Sequence, residues 1–489
     1  MRTWLLLLLS GFLLGSCAVR QYNPARKFSP EQLQKDYSIF RSSLEEAHPS
    51  LYWYTPKDSM DFYFDVGKSK LKDSLTEGQF RIVLSYVISK IRDGHASVRS
   101  SREAAGVAGL NSPFPLYIKA WPDTVVVTTN LNRKDSNIVR GVVLKSLDNR
   151  PVQQVLDSLF SFLPGDGFNL THKYQTLSNG SAFRNLYPAA FGLKGRTAVE
   201  YIDTAGRLRT AVLSLYNSKA DTAREKPPVH KELSRRERKK LELESMRSLK
   251  MDTALHAAIL EVNTFTKGYG LRGFFRRSFR QLKKEQVPNL VIDMRGNGGG
   301  SVILSNLLTK YLADQPFTIA DSLYAIRRGS QYGKYRNNRF LNWLFLQFLT
   351  RKKKDGAYHF TWFENKKFKP KSKNHYNGTT YILTGGNTFS AATLFAQALK
   401  KQENVVIVGE ETGGGAYGNT AWLIPDVTLP NTNVRFRLPL FRLVIDRNED
   451  KGRGVVPEVP ALPSVEAIRR NEDYKMEKVK ELILQKAHR

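Results

Sequence analysis

Three short stretches of the chain carry residues whose types and spacing could do nucleophilic chemistry. In "YILTGGNTFSAATLFAQALK" (381–400) an apolar run ends in a Gly-rich turn, and Ser390 stands at the first turn of an apolar helix. A serine there is most often a helix cap, and Asn387 or Thr388 could cap this helix equally well. The same place suits a nucleophile. Ala391 and Ala392 keep the approach to the hydroxyl open, and the Ala391 amide follows directly, where an oxyanion donor is needed. In "IDMRGNGGGS" (292–301) a buried-type strand runs into Gly296, Gly298, Gly299 and Gly300, which leave backbone amides uncovered. The Gly-Lys-Ser/Thr of a P-loop and GxGxxG spacing are both missing, which leaves an oxyanion hole or a plain strand-to-helix turn. In "RDGHAS" (92–97) His95 follows a helix stop on a Gly-containing turn, a position from which a ring can enter a cleft. A lone histidine is more often structural. With 8 histidines, none paired at i, i+4, and 1 cysteine, a metal centre is disfavoured and no cofactor is expected.

The elements that must position these stretches can be read from periodicity. "FSPEQLQKDYSIFRSSLEEAHPSLYWY" (28–54) places Leu33, Tyr37, Phe40 and Leu44 on one helical face. A second helix follows from Leu75 to Ile91, opened by a Thr76–Gln79 capping box. Residues 28–105 thus read as a helical module. From 112 to 216, β-rich segments such as "DTVVVTTNL" and "RLRTAVLSLY" surround one short helix at 151–163. That order fits a PDZ-like domain or another small β-rich unit. Residues 217–250 read as a charged linker, and 251–465 as an α/β core with a mostly parallel sheet and an insertion at 328–375. A helical tail, 466–489, closes the chain.

The N-terminus reads as an export signal: Arg2, then the apolar "WLLLLLSGFLL", then "LGSC" ending at Cys17. It is too short for a membrane span, which needs about 20 apolar residues. The Leu14-Gly15-Ser16-Cys17 pattern resembles a bacterial lipobox, which implies an acylated Cys17 and a lipid anchor in the cell envelope. The following Ala-Val-Arg has no acidic retention residue, which favours the outer membrane, facing periplasm or surface. A net charge of +31 is concentrated at 234–250, 351–355 and 365–375. An exported lipoprotein rarely meets nucleic acid, and no nucleic-acid-binding signature is present. An anionic envelope surface is the expected counterpart, beside the simpler reading of a solvated basic surface.

Taken in order, "DGHAS", "LVIDMRGNGGGS", "LTGGNTFSAATLFAQAL", "IVGEETGGGAYGN" and "GRGVVPE" resemble the tail-specific (C-terminal processing) and tricorn-core serine peptidase family. The resemblance implies a multidomain α/β fold with a ClpP/crotonase-like core, a peptide or protein substrate, and Ser390 as nucleophile. It also implies that Gly298 and Ala391 amides form the oxyanion hole. In the C-terminal processing branch the base is a lysine in a "TFGKG"-like loop, where this chain has "ETGGGAYGN" (411–419). In the tricorn-like branch it is a histidine near the end of the N-terminal module, which matches His95. Two departures stand out. Gly94 replaces a serine before the histidine, and Lys451 stands where a glutamate orients it, leaving Glu449 and Asp450 as the nearest acids. The altered relay also permits a second reading, a catalytically inactive peptide- or ligand-binding envelope lipoprotein on the same fold.

Overall fold

The computed structural model describes residues 22–107, 112–218 and 233–487; the expected leader and Cys17 lie outside them. The first module is built from α1 (Pro30–Ala47), α2 (Lys57–Ser69) and α3 (Glu77–Ile91). Capping boxes open α1 (Ser29 with Gln32) and α3 (Thr76 with Gln79), so orphan amides at both starts are satisfied within the chain. The stripe Leu33, Tyr37, Phe40 and Leu44 is fully covered and joins one hydrophobic cluster that continues into the α/β core. Phe40, for example, meets Phe436 edge-on at 5.0 Å. After α3 comes a short strand, β1 (Ser97–Arg99), whose pairing partner lies in the core.

The middle unit has its own cluster, including Ile118, Val127, Leu156 and Phe183. Its antiparallel sheet runs β2 (Leu116–Trp121), β3 (Thr124–Asn130), β4 (Val143–Leu147), β5 (Arg196–Ile202) and β6 (Leu208–Ser214), neighbours in that order. Three helices accompany it: α4 (Val152–Phe160), α5 (Thr171–Ser178) and α6 (Ala182–Phe191). Sequence periodicity foresees only α4. The other two are short: α5 is only weakly amphipathic, and α6 contains Pro188, which reads as a helix breaker.

An exposed helix, α7 (Arg235–Met246), leads directly into the core sheet, which begins within the stretch read as linker. The core elements are β7 (Arg247–Asp252), β8 (Ala257–Val262), α8 (Leu271–Lys284), β9 (Asn289–Asp293), α9 (Val302–Thr309), β10 (Ser322–Ala325) and α10 (Arg339–Leu349). They continue with β11 (Thr379–Thr384), α11 (Ala391–Leu399), β12 (Val405–Gly409), β13 (Gly418–Ala421), β14 (Asp426–Thr428), β15 (Arg435–Arg437), β16 (Phe441–Val444), β17 (Val459–Pro460) and α12 (Tyr474–Ala487). The main sheet has the order β7-β8-β9-β11-β12-β17, antiparallel at the first pair and parallel thereafter. Asp293 pairs with Leu383, so β9 and β11 end side by side and their C-terminal turns face each other. Crevices outside such strand ends are where ligands bind in open parallel sheets. α12 packs Val479 and Ile483 onto the sheet, and its Lys475 Nζ donates to Thr384 O at 2.9 Å, pinning the end of β11. The whole is a mixed α/β multidomain fold. Among the described residues no helix is long and apolar enough to cross a membrane.

The first module is held to the core by polar contacts as well as packing. Buried Asp36 of α1 accepts from Asn431 N (3.1 Å) and Nδ2 (2.8 Å), and from Thr432 N (2.8 Å) and Oγ1 (2.7 Å). Asp36→Ala strands these donors, and chemical denaturation is expected to show a loss of about 3 kcal/mol. Unchanged stability would mean that the module only rests on the core.

Candidate active site

β11 ends at Thr384, and the chain then turns through Gly385–Phe389 into α11. Ser390 is half-buried at this turn with φ 54° and ψ −120°, and its side chain makes no capping bond to α11. It is therefore not the helix cap that its position invites. A non-glycine residue at positive φ costs roughly 1–3 kcal/mol and persists only where neighbours hold it. Here they do. Thr388 Oγ1 donates to Met294 O (2.9 Å) and accepts from Gly385 N (3.1 Å). Phe389 N donates to Asn297 O (3.0 Å), and Ser305 Oγ to Ala391 O (2.7 Å). The serine turn is thus bolted to the glycine turn after β9.

That glycine turn is shaped by buried Asn297, which donates from Nδ2 to Val262 O (2.8 Å) and accepts from Gly299 N (2.9 Å). Gly299 has φ 96°, and a Cβ on it would lie 2.7 Å from Ser390 Cβ and 2.9 Å from Ala391 N. Only glycine permits this approach. Gly298, by contrast, has open space where a side chain would point and borders the cavity. Its amide and that of Ala391 donate to no acceptor among the described residues, whereas the Gly299 amide is already used.

His95 reaches this place because β1 pairs with β15, Ser97 opposite Arg437 and Val98 opposite Phe436. His95, His172, Gly298, Phe389, Ser390 and Arg437 line one cavity of about 530 Å³. The Phe389 ring lies between the two imidazoles, 5.0 Å from His95 and 4.8 Å from His172. Neither ring nitrogen of His95 has a hydrogen-bond partner, although the side chain is buried. Burial, against the pull of Asp93, pushes its pKa down to about 4, so the ring is neutral at pH 7.

Two buried carboxylates stand beside it. Asp93 Oδ1 accepts from His95 N (2.9 Å) and lies 3.9 Å from His95 Nδ1. Its Oδ2 accepts from Thr420 Oγ1 (2.5 Å) and faces His48 Nε2 at 2.8 Å. Burial raises the Asp93 pKa, but His48, His95 and Thr420 outweigh it and hold the carboxyl below its ordinary range. Asp166, from the middle unit, accepts from Gly94 N (2.8 Å) and Gly415 N (2.9 Å). Burial, with Asp93 nearby, pushes it up to about 7. Ligand atoms of Asp93, His95 and Asp166 fall within 4.8 Å of one another, residue types that can hold a metal. Every carboxylate oxygen already has a protein partner, however, so the set suits a nearby negative charge beside His95 better than a cation cage.

The acids expected from the sequence stand elsewhere. Glu449 pairs with Lys400, at the far end of α11, about 15 Å along that helix from Ser390. Asp450 is exposed, and Lys451 lies over the Trp53 ring at 5.3 Å. Gly94 also has a steric reason: a Cβ there would lie 2.4 Å from Phe389 Cζ and 3.1 Å from Asp166 Oδ1. A serine before the histidine does not fit this packing. Sequence reasoning missed His172, whose Nδ1 lies 2.7 Å from Gly386 O, and it missed Asp166; neither has a local signal. Asp93 was visible in "RDGHAS" but reads there as a turn residue.

The backbone strain at Ser390 has a measurable consequence. Ser390→Gly is expected to be more stable than Ser390→Ala by about 1 kcal/mol in denaturant titrations, because glycine accepts the positive φ. Equal stabilities would mean that the turn relaxes in solution.

Comparisons with known proteins bear on the fold and on the α/β core. Residues 256–460 match the profile of peptidase family S41. The carboxy-terminal processing protease CtpB of Bacillus subtilis (strain 168) is 28% identical over 185 residues, 35% of this chain and 38% of that protein. This chain therefore spans well under half of that relative's length. Mature CPAF superposes with a TM-score of 0.63 at 18% identity, over 93% of this chain and 97% of that one. Mature CPAF complexed with lactacystin gives 0.61 at 17%, over 93% and 98%. At such identities the likeness is one of fold. The profile match takes in the sheet that carries Ser390, so it is the α/β core of this chain that is similar to peptidase family S41.

Proposed function

We propose that the protein is a serine endopeptidase acting through an acyl-enzyme on Ser390, with His95 as general base. The observation that carries this reading is the shared cavity. A serine without a capping role meets a neutral, unpartnered imidazole and two free amides there. No lysine is among the residues lining it, which favours a histidine base. His95 Nδ1 is the ring nitrogen nearest Asp93, which leaves Nε2 for Ser390. In the proposed reaction Nε2 takes the Ser390 proton as Oγ attacks the scissile carbonyl, and the Gly298 and Ala391 amides receive the oxyanion. The imidazolium, stabilised by Asp93 and Asp166, then protonates the leaving amine, and water activated by the same ring releases the acyl group. His172 is the weaker base candidate because its partner is a neutral carbonyl rather than a carboxylate.

The substrate would be an extended peptide or protein tail, captured by the middle unit acting as a PDZ-like domain through strand addition. Acylation of Cys17 would anchor the protein in the cell envelope, at the outer membrane.

A fluorophosphonate serine-hydrolase probe tests the assignment on the full chain. Wild type should label, Ser390→Ala should not, His95→Ala should label at least about a hundredfold more slowly, and His172→Ala within about tenfold of wild type. The reverse order of the two histidines would move the base to His172, and an unlabelled, folded wild type would favour an inactive binding protein. Neutral His95 is available above about pH 4, and ionised Asp166, which stabilises the imidazolium, only above about 7. The labelling rate should therefore rise through neutrality in wild type and lose that inflection in Asp166→Asn. An unaltered profile would remove Asp166 from the relay.

A further inference from the structure

The insertion between β10 and β11 carries a helix that its surroundings do not explain. α10 reads "RFLNWLFLQFL", and only Leu346 on it is buried. Phe345 packs on Phe360 (5.1 Å) and Phe441 (5.9 Å), so the helix is anchored along one side. Its other side presents Phe340, Leu341, Trp343, Phe348 and Leu349 to solvent, with Phe340 67% and Phe348 74% exposed. A run of large apolar side chains held out in this way marks an interaction surface. Cations frame it: Arg339 at the start, and exposed Arg351, Lys352, Lys353 and Lys354 directly after the end. Lys353 pairs with Glu364 at 2.6 Å, but Arg339, Arg351, Lys352 and Lys354 have no acidic partner within ion-pair distance among the described residues.

We propose that α10 and the basic strand after it form a docking face for an anionic lipid bilayer. Trp, Phe and Leu at the interface with Lys and Arg reaching the headgroups is the composition of a helix lying in a membrane surface. The charge also argues against a second copy as the occupant. A two-fold contact would set this basic rim against itself, within a chain already at +31. The face is separate from the Ser390 cavity, so its test does not depend on the peptidase reading.

The full chain carrying Cys17→Ser, which has no thiol to acylate, is mixed with vesicles of phosphatidylcholine containing about one third phosphatidylglycerol, and with pure phosphatidylcholine vesicles. Co-sedimentation should favour the anionic vesicles, fall with added salt, and weaken at least tenfold in Trp343→Glu/Phe348→Glu. Lys352→Glu/Lys354→Glu should weaken the anionic preference. Vesicles with brominated acyl chains give a local readout that the leader does not disturb. They should quench a component of the tryptophan fluorescence that Trp343→Phe removes. Quenching unchanged in Trp343→Phe would overturn the proposal. So would a concentration-dependent dimer, dissolved by Trp343→Glu/Phe348→Glu, in place of vesicle binding.

Discussion

Everything proposed for the cavity depends on the antiparallel pairing of β1 with β15. The three residues of β1, which begins two positions after His95, complete a small sheet whose other strands belong to the α/β core. The ladder is short, but a one-residue slip would turn Val98 away from the cluster that covers Phe436, so the register is set by the core. With the register set, Ser97 stands opposite Arg437, and His95 and Ser390 line the same cavity. Asp36 and Phe40 perform the same service further back, so the module cannot swing away without exposing both polar and apolar contacts.

The His95 turn is also where all three units meet. Asp166 from the middle unit accepts from Gly94 of the first module and from Gly415 of the core, and Thr420 of the core donates to Asp93. Burial, with the Asp93 charge close by, raises Asp166, whereas His48, His95 and Thr420 hold Asp93 low against the cost of its own burial. In the proposed relay the two carboxylates would stabilise the His95 imidazolium, the part that the resemblance gives to a glutamate at position 451, where Lys451 is turned onto Trp53. A lysine at that position is therefore compatible with the proposed relay.

Much of the fold was legible because it is local. The capping box of α3, the apolar stripe of α1, and the buried strands β9, β11 and β12 follow from residue type and spacing. Ser390 and the glycine turn were legible for the same reason, since each lies at the end of a strong buried strand. What stayed hidden is non-local. Asp166 sits in an ordinary Gly-flanked turn and matters only through contacts to Gly94 and Gly415. His172 rides on a short, weakly amphipathic helix, and its approach to Gly386 cannot be read from any window of sequence. Glu449 was chosen by nearness in sequence to Lys451, yet Lys400 holds it at the other end of α11.

The most direct test of the assembled pair is a crystal structure of the full chain inactivated by a phosphonate. The expected result is a covalent bond from Ser390 Oγ to phosphorus, with a phosphonyl oxygen receiving hydrogen bonds from the Gly298 and Ala391 amides and His95 Nε2 facing the serine oxygen. An adduct on Ser390 with His172 in that place, or with His95 turned away, would contradict the assignment of His95 as base. An adduct on another residue would contradict the site itself.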